Sequence, residues 1–243
     1  MKRLLMILLG LTLSFAMVSC ESGSGNETAN DNNTDVDDNP EDDPIVDLPE
    51  DGLVFSQHLI TYYLLINQIS CEHDSQKNDI IYLNCSGDSA TREMFLYLSE
   101  LNGDTSFNRR TLPGDDRAFA YPFDDITMSC DKDFDSAHPA GEPLDDIVNI
   151  TIVRYWDYVQ NGYQYPEGYE YVNAYGLGAI AFNYKLEEIN SDNSKLVSCK
   201  THYLSKPQMS FTTSPDIPGE YTFTLSLTTN GETFTTTFTH TFE

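Results

Sequence analysis

A period-two alternation of apolar and hydroxylated residues dominates the C-terminal end of this chain. Tyr221, Phe223, Leu225 and Leu227 alternate with Thr222, Thr224, Ser226 and Thr228. After Asn230-Gly231 a second run carries Phe234, Phe238 and Phe242. Such alternation places one set of side chains on each face of a strand. Asn-Gly supplies the two positive-φ residues of a type I′ turn, whose twist matches the strands it joins. A two-residue loop sets Thr229 opposite Glu232. The register then pairs Leu227 with Phe234, Leu225 with Thr236, Phe223 with Phe238 and Tyr221 with His240. One face of this hairpin is apolar and the other almost wholly hydroxyl. His240 reads as a packing partner of Tyr221 rather than a catalytic group.

Upstream, short β-rich runs recur between turn signals. They are Ile80–Asn84, Met94–Leu98, Ala118–Tyr121, Ile126–Cys130, Val148–Tyr155, Tyr169–Tyr184 (one strand or two) and Leu196–Tyr203. Asn102-Gly103, Pro113-Gly114, Asn161-Gly162 and Pro166-Glu167-Gly168 punctuate them. Leu53–Ile69 suits a helix or a strand equally. Many short strands with few helix signals predict an all-β chain, an antiparallel β-sandwich with few short helices.

The N-terminus follows a different pattern. Lys2 and Arg3 precede an apolar run from Leu4 to Met17, then Val18-Ser19-Cys20. The run is shorter than the roughly 20 residues that span a bilayer and reads as a secretory leader. Ser19-Cys20 resembles the lipobox of bacterial lipoproteins. The resemblance implies cleavage before Cys20, lipid on its sulfur and an anchored mature protein. Residues 21–50 hold 11 acidic residues, no Lys or Arg and no aromatic. That composition cannot bury enough apolar surface to offset the entropy of ordering. The expected organisation is a leader at 1–19, lipidated Cys20 with an acidic tether to residue 50, and a β-sandwich domain at 51–243.

Charge narrows the partners. The chain carries 39 acidic and 13 basic residues, a net charge of −26. This disfavours nucleic acid, whose binders carry basic patches, and anionic membrane surfaces. It favours solubility and attraction of cations.

With Cys20 assigned to lipid, Cys71, Cys85, Cys130 and Cys199 remain. An exported compartment permits disulfides, and four cysteines allow three pairings. Cys71–Cys85 and Cys130–Cys199 are preferred, against four reduced thiols. Cys71-x-His73 with Cys199-x-x-His202 is a weaker zinc alternative, because its spacing departs from the usual ligand pairs.

Two further resemblances carry part of the chain. Pro215-Asp216-Ile217-Pro218-Gly219-Glu220-Tyr221-Thr222-Phe223-Thr224, leading into the Asn230-Gly231 hairpin, resembles the closing strands of bacterial immunoglobulin-like domains. The pieces Asp124–Thr127, Asp131–Asp135, His138–Gly141 and Leu144–Ile147 resemble uncharacterised envelope lipoproteins of Gram-negative gut and oral anaerobes. Together they imply an immunoglobulin-like, exported, anchored β domain, and they supply no catalytic residues to transfer.

Chemistry-bearing candidates are few. Asp131-x-Asp133-x-Asp135 alternates carboxylates in a loop, which suits Ca2+. It is no EF-hand, since Ser136 stands where a glycine is needed and a strand precedes it. Tyr163, Tyr165 and Tyr169 belong to an aromatic belt whose rings suit a glycan or protein contact, provided these three are exposed. The doublets Asp115-Asp116, Asp124-Asp125 and Asp145-Asp146 put adjacent side chains on opposite faces of a strand, unlike a glycosidase pair. No nucleophile elbow, metalloprotease motif or phosphate loop occurs. The expectation is a non-enzymatic binding module for a glycan or protein. Its alternatives are a structural or fimbria-associated lipoprotein, a Ca2+-stabilised module and, last, a hydrolase. Glu21 does not trigger inner-membrane retention, so outer-membrane anchoring is expected, with the face, periplasmic or surface, left open.

Overall fold

The computed structural model describes residues 56–77, 79–109, 116–170 and 175–243. The leader 1–19, Cys20 and the acidic stretch to residue 50 lie outside the described residues, as does Tyr171 of the aromatic belt. The described strands are β1 (Tyr62–His73), β2 (Ile81–Ser89), β3 (Arg117–Phe119), β4 (Asp125–Cys130), β5 (Val148–Arg154), β6 (Ile180–Lys185), β7 (Gln208–Phe211), β8 (Gly219–Thr229) and β9 (Glu232–Phe242). Two short helices, α1 (Arg92–Leu101) and α2 (Trp156–Gln160), interrupt them. The fold is all-β and sandwich-like. One sheet runs β3-β1-β2-β7-β5-β6 and the other β4-β8-β9. Every strand pair is antiparallel except β1 with β3, which is parallel.

The C-terminal hairpin has the predicted register throughout, from Thr229 opposite Glu232 to Tyr221 opposite His240. Asn230 and Gly231 take φ of 51° and 75°, as a type I′ turn requires. Its apolar face packs on the larger sheet. The Phe211 ring of β7 lies 4.8 Å from Phe223, and Phe134 lies 5.8 Å from Phe211. Ile126, Met128, Phe223, Leu225 and Leu227 are buried there with Leu64, Ile81, Leu83, Ile150, Ile152 and Met209. Burying a side chain of this size contributes about 1.5–3 kcal/mol.

One end of the larger sheet is buried on its second face too, while Gln68, Ser70, Ser86 and Asn183 leave the rest of that face exposed. Tyr63, Ala118, Val153 and Tyr155 point away from the first core and join Leu98 of α1 with Tyr158 and Val159 of α2. Neighbours such as Tyr63 and Leu64, or Ile152 and Val153, thus feed opposite cores.

Two predicted strands are corrected. Met94–Leu98 is helix, the middle of α1. The Thr91 side chain caps it by accepting from the Met94 N–H at 3.3 Å, and Leu98 alone of its apolar residues is fully buried. Five apolar residues in a row hide a helical period behind a strand-like run. Leu196–Tyr203 forms no strand, because Leu196 turns the chain at φ 50°. Val197 and Ser198 make single bridges to Arg154 and Ala118, tying β3 to β5. The long run to Tyr184 yields one described strand, β6. Leu53–Ile69 resolves as strand from Tyr62, and β7 was not foreseen.

A bulge shapes β1. Ile66 pairs with Gly87 and Gln68 with Ser86, which leaves Asn67 as the extra residue. At Gly87 a Cβ would lie 1.8 Å from the Leu65 carbonyl oxygen. Glycine is required there by backbone proximity. Gly231 needs its freedom only for φ, since nothing lies within 4 Å of its Cβ direction. Gly87→Ala is therefore expected to cost about 3 kcal/mol, and Gly231→Ala about 1 kcal/mol, in urea melts. Equal losses would contradict the close approach at the bulge.

Candidate binding groove

The predicted aromatic belt is mostly structural. Tyr163 is 5% exposed, and this corrects the expectation of an exposed contact residue. Its hydroxyl donates to Asp104 Oδ1 at 3.1 Å and accepts from the Ser106 N–H at 3.2 Å. Tyr165 is half-buried, its ring 4.9 Å from Tyr158, and its hydroxyl accepts from the Gly178 N–H. Tyr169 remains exposed, beside Phe182.

Asp104, absent from every sequence motif, organises this region. Its carboxylate is fully buried and accepts from the Leu59 and Ile60 N–H groups, each at 2.8 Å. Burial pushes its acid strength down, raising its pKa, against the three donors that favour the charged form.

The acidic loop does not converge on an ion. Asp131 accepts from the Thr222 N–H, Asp133 from the Ala140 N–H, and Asp135 from the Ala137 and His138 N–H groups. Each carboxylate holds a different stretch of backbone, Asp131 a residue of β8 and Asp133 and Asp135 the turn that follows them. Among the described residues no group of three His, Cys, Asp or Glu side chains gathers to hold a metal. The His138 ring bridges Asp135 at 2.8 Å and Asp146 at 3.0 Å. Burial pulls the imidazole down, but the two carboxylates outweigh it and hold its pKa above the ordinary value.

Cys71, Cys85, Cys130 and Cys199, the four described cysteines, are free, so neither preferred disulfide is formed. Cys130 faces the Lys132 carbonyl oxygen at 2.9 Å, within the first core. Cys85 lies near Cys71 and Cys199, and burial pushes the thiols of Cys71 and Cys199 up to about 12. Buried neutral thiols of this kind are poor nucleophiles and poor metal ligands.

The two sheets leave a groove of about 220 Å³ where β1, β2 and the hairpin tip meet. Leu64, Ile66, Tyr121 and Phe234 give it an apolar, partly aromatic wall. Asn67, Asp88, Asn230 and Glu232 give it carboxamides and carboxylates. Asn67 reaches the groove because the bulge re-aims it, and its Nδ2 donates to Asp88 Oδ2 at 3.3 Å. Beyond the hairpin tip, Thr222, Thr224, Ser226 and Thr228 oppose Thr239, Thr237, Thr235 and Thr233, a hydroxyl-rich face on which Asp125 of β4 sits beside Thr228. The sequence had located the turn at Asn230-Gly231 but not its partners across the groove.

The chain matches no protein-family model, no curated protein and no solved structure. No helix of the described residues is long and apolar enough to cross a membrane.

Two outcomes test the site's architecture. Asp104→Ala strands two buried N–H groups and is expected to cost about 3–5 kcal/mol, whereas Tyr169→Ala stays within about 0.5 kcal/mol. Chemical denaturation of both variants checks this. For His138, a raised imidazole pKa stabilises the fold below the unfolded value, about 6.5, and is lost as pH rises through the folded one. Asp135 has the opposite sign: with its pKa lowered, its contribution is present above the ordinary carboxylate value and lost on acidification. The Tm gap between the parent chain and His138→Ala should thus be widest near about pH 5.5 and shrink by about pH 8.

Proposed function

We propose that this chain is an exported, lipid-anchored cell-envelope protein whose β-sandwich domain binds a glycan or protein partner without catalysing a reaction. Two kinds of support underlie it. The lipobox-like Ser19-Cys20 after a short apolar leader supports export and anchoring, with outer-membrane attachment following from Glu21. The groove carries the binding half of the reading. A small concave site with an apolar wall and a few convergent polar groups is the common form of a recognition site. A net charge of −26 steers the partner away from nucleic acid and toward neutral or cationic surfaces.

Anchoring and binding are testable apart. In a lipoprotein-processing bacterial host, the parent chain is expected to incorporate radiolabelled palmitate and Cys20→Ala to lose it. Equal labelling would remove the anchor. On combined glycan and protein arrays, the full chain should bind features that Asn67→Trp, which fills the groove from an exposed position, does not bind. Loss of no signal on filling the groove would refute the site.

A further inference from the structure

The groove's dimensions and charge define its occupant more closely, and the step rests on the binding-module reading above. Drug-sized ligands fill roughly 300–1,000 Å³. At about 220 Å³ this groove holds one ring with its substituents. Its wall offers Tyr121 and Phe234, on which the apolar face of a saturated ring can rest. Its polar side offers Asn67, Asp88, Asn230 and Glu232, planar groups able to accept from neighbouring hydroxyls or an amine. No lining residue is basic, so an anionic group would enter unpaired against two carboxylates.

We infer that the groove binds a single non-acidic sugar unit of a glycan, and binds an amino sugar in preference to a neutral one. The ring rests against Tyr121 and Phe234. Its hydroxyls meet the Asn67 and Asn230 carboxamides, and an amino substituent meets Asp88 and Glu232. The adjoining face of β8 and β9 offers paired threonine hydroxyls to the rest of the glycan, with the Asp125 carboxylate beside Thr228 and no Lys or Arg among the paired positions.

The test is calorimetric titration of the full chain in detergent with three trimers: chitosan trimer with free amines, tri-N-acetylchitotriose and trigalacturonate. The amine trimer is expected to bind about tenfold more tightly than the N-acetylated one, with no heat from the uronate. Asp88→Asn combined with Glu232→Gln should bring the two amino-sugar trimers within about twofold of one another. Both positions are exposed, so the double variant is expected to keep the parent's Tm. Binding of trigalacturonate as tight as the amine trimer overturns the inference, as does absence of heat with all three. Trilysine serves as a protein-like cation. If it alone gives heat and competes at the groove, the occupant is a basic protein segment and the inference falls while the binding-module reading stands. If arrays and all four probes are silent, both fall.

Discussion

The larger sheet must be covered on the whole of one face and at one end of the other, and most of the structure follows from that demand. Where strands send apolar side chains to both faces, leaving either set in water costs about 25 cal/mol per Å². The β4-β8-β9 sheet covers one face with Ile126, Met128, Phe223, Leu225 and Leu227. On the other face α1, α2 and the tyrosines Tyr155, Tyr158 and Tyr163 form the cover. This second cover is irregular backbone, so its polar groups need partners. Asp104 supplies them for Leu59 and Ile60, and Tyr163 supplies the donor that Asp104 can still accept. The aromatic belt therefore serves as the lid of a core, which is why most of it is unavailable to a ligand.

Covering a six-stranded sheet with a three-stranded one leaves a margin, and the groove occupies it. The margin falls where β1 bulges at Asn67 and where the β8-β9 turn projects Asn230. Both features are local departures from regular sheet geometry, and such departures re-aim side chains that regular pleating would send elsewhere. Gly87 is part of the same device, since the bulge brings two backbones closer than any Cβ permits. The proposed sugar site is built from the geometry that lets two unequal sheets meet.

Sequence patterns were legible where period and turn chemistry agreed. The β8-β9 hairpin was readable to the residue because alternation, Asn-Gly and loop length all specify one register. Met94–Leu98 fits a strand as well as a helix because five consecutive apolar residues suit either period, and the Thr91 cap is the residue that marks a helix. The Asp131–Asp135 loop displayed a calcium-like spacing, but spacing does not determine direction. Each carboxylate turned to a different backbone N–H. The burial of Tyr163 is illegible for a related reason: an amphipathic ring has the same sequence signature at a surface and under a lid.

The amino-acid sequence by itself determined the all-β class, the hairpin register and an acidic, cation-attracting charge. These depend on nearest neighbours along the chain or on composition, which need no knowledge of the fold. Tertiary structure alone decided that Asn67, Asp88, Tyr121 and Glu232 share one groove, since four different segments supply them. It likewise buried Asp104 under Tyr163, across 59 residues of chain. Contacts of that span are set by how two unequal sheets pack, and no local period encodes the packing.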